Sequence, residues 1–418
     1  MLEDASIRDL TALMTAARAA YDVISVSSAA QRHEALMEIA SALRKHEAEI
    51  LEANKLDLAH AEGNAAFLDR LTLTSQRLQD MAEAVERIAA LPDPVGKVMQ
   101  EWTRPNGLVI RQVSTPIGVI GMIFESRPNV GVDAAALCIK SGNAIILRGG
   151  SESFHSTQSL MRAVQQGLRH AGLPGATVQS VPDTDRARVT EMLHAQGQID
   201  LLIPRGGKSL VTRVMQESRV PVLAHAEGLC HSFVHQDARL EMARAVTANA
   251  KMRRPGICGA TETLLLDRAI APTFLPVLVT DLHALGCHCR GDAAARAILP
   301  TLDPASESDF ATEWLDAELS IAIVDGVEGA CAHIRRYGSG HTEAIITENE
   351  AAAESFMRGV PSAVVMWNAS TQFCDGGEFG FGGEIGISTG RLHARGPVGV
   401  AQLTTYRYEV RGDGQTRP

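Results

Sequence analysis

The spacing of hydrophobic residues divides the chain into a helical beginning and a longer mixed part. Ser28-Ala29-Ala30-Gln31 has the form of a capping box, and it opens an amphipathic stretch that runs towards Gly63. A second helix is predicted over about 75–90, and Pro92 ends it because proline cannot continue a helix. The pattern therefore predicts that the first ninety residues are helical.

From about residue 108 the pattern changes to short apolar runs, rich in Val and Ile, that alternate with helical segments. These runs are 108–113, 117–124, 144–147, 178–181 and 201–203, and later 263–266, 321–324, 344–347 and 363–367. Such alternation is typical of βαβ units whose strands form a mostly parallel sheet. The sequence therefore predicts an α/β fold with two α/β domains.

Composition and charge argue against a nucleic-acid-binding, membrane or secreted protein. The chain has 418 residues, which is long for one domain, and its net charge of −10 without a basic stripe argues against a nucleic-acid partner. It has no apolar stretch of the ~20 residues that a membrane span needs, and Met1–Asp4 is acidic where a secretory signal would be basic. Seven scattered cysteines without a CxxC pair favour free thiols in a reducing compartment. We therefore expect a cytoplasmic protein.

Cys258 stands out among these thiols. It lies between Gly256 and Gly259, which allow backbone N–H groups to approach a substrate closely. A cationic segment with Lys251, Arg253 and Arg254 precedes it, and nearby cations favour the thiolate over the thiol. The alternative is that Cys258 is a small buried hydrophobic residue, as unpaired cysteines often are. The pattern makes it the candidate nucleophile.

Two glycine-rich segments follow predicted strands and precede helices. They are 148–153 and 204–209, and both resemble turns at which a helix N-terminus binds an anion. The second is not a P-loop, because Leu202 stands where that motif needs its first glycine. No GxGxxG fingerprint is present. Each turn alone is explained by an ordinary helix start, but two cationic turns on successive units favour a nucleotide.

The sequence gives only weak evidence for a metal site. His283, Cys287, His288 and Cys289 fall within seven residues, but a structural zinc site usually needs a second pair of ligands that this chain does not show. Alternation along a strand also places Cys287 and Cys289 on one face. We therefore predict no metal.

Four segments together resemble a known family. They are 123–130, 249–258, 337–343 and 379–389. They are similar to the gamma-glutamyl phosphate reductases, a branch of the aldehyde dehydrogenase superfamily, and the resemblance extends over essentially the whole chain. It implies NADPH-dependent reduction of L-glutamyl 5-phosphate to L-glutamate 5-semialdehyde and phosphate in proline biosynthesis. It also implies a cofactor domain over 1–228 with part of 368–395, a catalytic domain over 229–367, and a β oligomerisation element over 101–114 and 396–418.

The resemblance also assigns residues. Cys258 matches the nucleophile that forms a thioester, and Asn129 is the candidate side-chain donor to the oxyanion. The candidate cofactor residues are Arg148, Ser151, Glu152, Arg205, Gly206, Gly207, Lys208 and Glu313. Arg148 suits the 2′-phosphate of NADPH. The candidate substrate-binding cations are Arg127, Lys251, Arg253 and Arg254.

One departure from the superfamily pattern favours reduction. Hydrolytic relatives carry a glutamate that activates water, and the glycine register places His225 closer to that position than Glu227. Two alternatives remain open: a hydrolytic or CoA-acylating aldehyde dehydrogenase, and a non-catalytic nucleotide-binding protein. Because glutamyl phosphate is labile, glutamate 5-kinase is a candidate partner. The family implies a homo-oligomer.

Overall fold

The structure, a computed structural model, describes residues 10–417, so the prediction drawn from Met1–Asp4 lies outside the described residues. The chain divides into two compact units. The first holds residues up to 224 with Gly380–Gly386 and the segment from Val398, and the second holds His225–Phe379 and Ile387–Pro397. The domain boundary expected after residue 228 therefore lies four residues beyond the observed division. Of 368–395, only Gly380–Gly386 belong to the first unit.

The first unit starts with helices, as the periodicity predicts. They are α1 (Leu10–Ile24), α2 (Ala29–Lys45), α3 (Glu47–His60), α4 (Ala65–Leu71) and α5 (Ser75–Ala90). The Ser28 side chain accepts a hydrogen bond from the Gln31 N–H at 3.1 Å and caps α2. The Gln31 side chain donates to the Ala171 carbonyl instead of returning to Ser28, so Ser28 is an N-cap without the reciprocal bond of a capping box. The stretch predicted as one helix is divided at His46.

A parallel four-stranded sheet, in the order β5-β4-β3-β6, forms the centre of the first unit. The remaining elements of the unit are β1 (Val98–Thr103), β2 (Val109–Pro116), β3 (Val119–Phe124), α6 (Asn129–Lys140), β4 (Ala144–Arg148), α7 (Phe154–His170), β5 (Val178–Ser180), α8 (Ala187–Leu193), β6 (Leu201–Arg205), α9 (Lys208–Glu217) and β16 (Thr404–Arg411). Helices α1, α8 and α9 share one core with the sheet. On the opposite face Phe124 and Leu147 lie against α6 at Gly131. Burial on both faces explains why these strands read as continuous apolar runs.

Strands β1, β2 and β16 form a separate antiparallel sheet in the order β1-β2-β16. Every residue of β1 is exposed, and Trp102 packs edge-to-face on Tyr408 with 6.1 Å between ring centroids. This sheet corresponds to the element expected over 101–114 and 396–418. Its role in oligomerisation stays a prediction.

The second unit contains a seven-stranded sheet in the order β10-β9-β11-β8-β7-β12-β13, in which every pairing is parallel. Its elements are β7 (Cys230–Val234), α10 (Leu240–Met252), β8 (Thr261–Asp267), α11 (Ala271–Ala284), β9 (His288–Gly291), α12 (Ala293–Ile298), β10 (Asp303–Pro304), β11 (Glu318–Val324), α13 (Gly326–Tyr337), β12 (Thr342–Ile346), α14 (Glu350–Gly359), β13 (Val364–Trp367), β14 (Ile387–Ser388) and β15 (Gly396–Pro397). Helices α10, α11 and α12 share a core on one face, and α13 and α14 share a core on the other.

The predicted α/β fold with parallel sheets is confirmed, and β7 is the main strand that the sequence pattern did not reveal. Its five residues, Cys230-His231-Ser232-Phe233-Val234, are all buried although three of them are polar or sulfur-bearing. Buried Glu343 accepts hydrogen bonds from the backbone N–H of His231 and from its Nδ1, both at 2.8 Å. These bonds allow polar His231 to be buried, and such polar residues are why the hydrophobic pattern did not predict this strand. Within the described chain, no helix is both long and apolar enough to cross a membrane.

Candidate active site

Cys258 lies in the short loop that joins α10 to β8, at the amino edge of the second sheet. Ligands in open α/β sheets usually bind beyond the carboxyl ends of the strands, so Cys258 lies at the edge opposite to the usual one. The loop is closed by a hydrogen bond from the Ala260 N–H to the Ile257 carbonyl at 2.9 Å. The Cys258 side chain is partly buried against an apolar cluster that contains Cys374 and Ile387. Part of it stays accessible.

The segment that enters β7 lies directly against the Cys258 loop. A Cβ atom built on Gly228 would be 2.2 Å from the Cys258 carbonyl oxygen, so a side chain does not fit at this position. The thiol of Cys230 also donates to that carbonyl, at 3.1 Å. Close backbone approach therefore explains why glycine occupies position 228.

Two side chains hold this entering segment in place. The Glu313 carboxylate accepts a hydrogen bond from the Gly228 N–H at 2.8 Å, and the Ser339 hydroxyl accepts one from the Leu229 N–H at 2.9 Å. Glu313 was predicted to hold the nicotinamide ribose. In this structure one of its oxygens binds the backbone beside the nucleophile, and the ribose role stays a prediction.

Two histidines lie beside the thiol. The Nδ1 atom of His225 is 2.8 Å from the Ile387 carbonyl oxygen, which can only accept, so Nδ1 carries the proton and Nε2 the lone pair. The His341 ring meets the His225 ring edge-on, with 5.1 Å between centroids. One ring nitrogen of each histidine and the Cys258 Sγ all lie within 4.8 Å of one another. The sequence pattern pointed to His225 but not to His341, although His341 lies in the family-like segment 337–343.

His341 is fully buried, and its environment keeps the ring neutral. Its Nδ1 lies 2.9 Å from the Thr342 hydroxyl and 3.4 Å from the Cys230 thiol, while its buried Nε2 has no hydrogen-bond partner among residues 10–417. Burial, with a smaller effect from His225, lowers the pKa of His341 to about 3. His341 therefore stays uncharged at neutral pH.

Lys251 is not a surface cation, and this corrects the prediction that it binds substrate. Its side chain is fully buried on α10, and its Nζ lies 2.5 Å from a Glu262 carboxylate oxygen. The other oxygen of Glu262 accepts a hydrogen bond from the Leu315 N–H at 3.2 Å. Burial raises the pKa of Glu262 and the neighbouring ammonium opposes that shift. Of the predicted cations, Arg127, Arg253 and Arg254 are exposed.

The two cationic turns lie at the carboxyl edge of the first sheet, where the sequence places them. Gly206, Gly207 and Lys208 are exposed at the start of α9, whose N-cap residue is Gly207. The Gly207 N–H donates to a Glu125 carboxylate oxygen at 2.9 Å. Arg205 ends β6, just before this turn. An exposed helix start of this kind fits the phosphates of a nucleotide, which would displace the Glu125 carboxylate from the Gly207 N–H.

The turn after β4 contains the remaining cofactor candidates. Arg148 is 9% exposed and donates to the carbonyls of Gly149 and Thr184, while its buried Nε has no partner within the part of the chain that the structure describes. Ser151 is exposed, and Glu152 accepts a hydrogen bond from the Ser126 N–H at 2.7 Å. An unpartnered guanidinium N–H fits an additional phosphate oxygen at this turn.

Asn129 is the first residue of α6, and its amide is already oriented. Its Nδ2 donates to an Asp133 carboxylate oxygen at 3.1 Å. Burial raises the pKa of Asp133 to about 6, although the Asn129 bond and the charge of Arg205 oppose the shift. An amide nitrogen carries two hydrogens, so one remains for another acceptor. Asp133, which the sequence pattern did not indicate, is thus a positioning residue for Asn129.

Fold and site together define a cysteine-containing enzyme of the aldehyde dehydrogenase class. The model of the aldehyde dehydrogenase family matches residues 2–296, more than half of the chain. The acetylating aldehyde dehydrogenase of Geobacillus thermoglucosidasius shares the fold, with a TM-score of 0.69 at 17% identity over 98% of this chain and 97% of that one.

Closer relatives define the branch. The gamma-glutamyl phosphate reductase of Gluconobacter oxydans is 66% identical over 88% of this chain and 87% of its own length, and that of Brucella anthropi is 55% identical over 98% of both. The crystal structure of gamma-glutamyl phosphate reductase from Thermotoga maritima matches with a TM-score of 0.96 at 43% identity, over 98% of this chain and all of that one. The chain therefore belongs to the aldehyde dehydrogenase family and, within it, to the gamma-glutamyl phosphate reductases. The predicted family is confirmed, and the chain is an oxidoreductase.

Proposed function

We propose that the protein catalyses NADPH-dependent reduction of L-glutamyl 5-phosphate to L-glutamate 5-semialdehyde and phosphate through a thioester on Cys258. The observation that carries the proposal is exposure: all seven cysteines lie within the described residues, six are buried, and Cys258 alone is partly accessible. A nucleophilic thiol has to reach its substrate, whereas a structural one does not. The names of the relatives support the same reaction.

In the proposed reaction the Cys258 thiolate attacks the acyl carbon, the bond from that carbon to the phosphate oxygen breaks, and a thioester remains. When bound, NADPH supplies the hydride that reduces the thioester carbonyl. The resulting oxyanion collapses, the carbon–sulfur bond breaks, and the aldehyde leaves Cys258 as a thiolate. Asn129 is the proposed oxyanion donor, and the exposed Arg127, Arg253 and Arg254 are the candidates for the phosphate and carboxylate of the substrate.

The choice of NADPH over NADH rests on the turn after β4. Arg148 provides a guanidinium beside Ser151 and Glu152, and a guanidinium matches the 2′-phosphate that distinguishes the two cofactors. The start of α9, with Gly206, Gly207 and Lys208, is the proposed site of the pyrophosphate.

The test is the reverse reaction, in which NADP⁺ is reduced in the presence of glutamate semialdehyde with and without inorganic phosphate or arsenate. We expect turnover only when phosphate or arsenate is present, because the thioester needs an oxyanion acceptor. Cys258→Ala should abolish turnover. Cys331→Ala, which removes a buried thiol on α13, is the matched control and should retain it.

Three outcomes separate the alternatives. Phosphate-independent turnover would favour a hydrolytic enzyme, and turnover that depends on coenzyme A would favour an acylating one. Binding of NADPH without turnover of any aldehyde or acyl phosphate would favour a non-catalytic nucleotide-binding protein. The cytoplasmic location, the homo-oligomer and the complex with glutamate 5-kinase remain predictions.

A further inference from the structure

The side chain of His225 is held in one orientation and one tautomer. Its Nδ1 donates to the carbonyl of Ile387, and Ile387 is itself buried and paired with Pro397 in the small antiparallel sheet of β14 and β15. Because a carbonyl oxygen cannot donate, the proton must lie on Nδ1 and the lone pair on Nε2. A histidine fixed in this way is ready to accept a proton at Nε2.

The same side chain lies beside the candidate nucleophile. A ring nitrogen of His225 is within 4.8 Å of the Cys258 Sγ, and the loop that carries Cys258 is held against the segment that carries His225 by the close approach at Gly228. Glu227 is not a member of this group of donor atoms among the described residues. Catalytic hydrogen bonds often lengthen in the absence of substrate, so the separation is compatible with proton transfer.

The other titratable groups nearby do not suit the role. His341 has a pKa of about 3 because of its burial, so its ring stays uncharged at neutral pH and is too weak a base to take the proton of the Cys258 thiol. Burial raises the pKa of the Cys230 thiol well above its usual range, and Cys374 is a buried thiol in the same apolar cluster. One carboxylate oxygen of Glu313 is bound to the backbone of Gly228. A neutral His341 also avoids placing a second positive charge beside a protonated His225.

We propose that His225 is the acid–base residue of the reaction, taking the proton of the Cys258 thiol at Nε2 and giving it to the departing phosphate. This inference rests on the proposed function. The S–H bond breaks and the N–H bond forms; the thiolate then forms the C–S bond as the C–O bond to phosphate breaks, and the proton leaves on phosphate as hydrogen phosphate. His225 is then neutral, as at the start. After reduction, the Cys258 thiolate regains a proton from water through the same nitrogen.

The first test measures the reactivity of the thiol, which a merely structural role would not change. The rate of Cys258 alkylation by iodoacetamide is followed from pH 5.5 to 9.5 in the full-length protein. We expect the wild type to react well below pH 8, since the imidazole removes the proton. His225→Gln keeps a donor for the Ile387 carbonyl but cannot accept a proton, and its alkylation should require a pH near the ordinary thiol pKa of about 8.5.

The second test measures turnover. His225→Gln and His225→Ala should each reduce the rate of the phosphate-dependent reverse reaction by about 10²–10⁴-fold at pH 7. Added imidazole should restore part of the rate in His225→Ala, where it can occupy the vacated space, and none in His225→Gln. His288→Gln is the matched control, because His288 lies on β9 between Glu318 and Asp303. This substitution should leave both the pH profile of Cys258 alkylation and the turnover rate unchanged.

Two results would overturn the assignment. One is an alkylation profile of His225→Gln that superimposes on the wild type, and the other is a low rate in His225→Ala that imidazole does not raise. If either occurs while Cys258→Ala is inactive, the thioester reaction stands and only the role of His225 is lost. If Cys258→Ala remains active, the proposed function itself is wrong.

Discussion

Gly228→Ala tests how closely the backbone beside the nucleophile controls its position. The added methyl group would be built 2.2 Å from the Cys258 carbonyl oxygen and 2.7 Å from the Cys258 Cα, whereas ordinary contacts start at 3.4 Å. The two segments must therefore separate by about 1 Å. Both are held by further hydrogen bonds, because the Gly228 N–H donates to the Glu313 carboxylate and the Cys230 thiol donates to the Cys258 carbonyl. The strain cannot be relieved by rotating a flexible side chain.

A misplacement of about 1 Å at a reacting group costs about 10²-fold in rate. We therefore expect kcat/KM of the phosphate-dependent reverse reaction to fall by about 10²-fold, equivalent to about 2.7 kcal/mol of transition-state stabilisation. The matched control is Gly256→Ala, in the Cys258 loop itself. Its Cβ would lie 3.5 Å from the nearest atom, the Leu315 carbonyl oxygen, which is an ordinary contact. That variant should stay within about twofold of the wild type.

The assay combines steady-state rates with thermal denaturation, so that loss of structure is separated from displacement of the thiol. If Gly228→Ala keeps the rate and the melting temperature of the wild type, the close approach does not position Cys258. If Gly256→Ala loses as much activity as Gly228→Ala, the loop tolerates no added methyl group and the comparison says nothing specific about position 228.

Three further predictions concern stability and cofactor choice. Lys251→Met leaves Glu262 buried without its cation and should lower the free energy of unfolding by about 3–5 kcal/mol in chemical denaturation, whereas Lys251→Met with Glu262→Leu should recover most of that loss. Burial lowers the pKa of His333 to about 3. As pH falls from 6.5, His333 therefore binds a proton in the unfolded chain but not in the folded protein, and the folded protein loses stability. The wild type should therefore lose up to about 4 kcal/mol more than His333→Gln between pH 6.5 and 3, and equal losses would contradict the assignment. Arg148→Ala should lower the ratio of kcat/KM for NADPH to that for NADH by about tenfold, and an unchanged ratio would place the 2′-phosphate elsewhere.

Several features of the fold were predictable because they depend on local sequence. The helix over Ser75–Ala90 ends just before Pro92, and β3 and β4 read as apolar runs because both of their faces are buried. The two turns that follow β4 and β6 were predictable for the same reason, since a strand, a glycine turn and a helix follow one another directly in the chain. β7 was missed because its polar residues are satisfied by Glu343, over a hundred residues away.

The site was only partly predictable. Cys258 was found from its own neighbours in sequence, and the family motifs carried the remaining assignments. The burial of Lys251 was not predictable, because its partner Glu262 lies on the next strand and an isolated lysine in a cationic segment reads as exposed. The role of Asp133 was missed for a related reason, since an aspartate inside a helix is usually a solvated surface residue.

By itself, the sequence determined the α/β class, the family and the candidate nucleophile, because these depend on hydrophobic periodicity and on residues adjacent in the chain. The tertiary structure alone decided which groups surround that nucleophile. His225, Cys258 and His341 lie just before the first residues of β7, β8 and β12, respectively. They meet only because the parallel pairing of these three strands brings their amino ends to one edge of the sheet. Distances of this kind follow from sheet order and register, and local sequence does not specify either across more than a hundred residues.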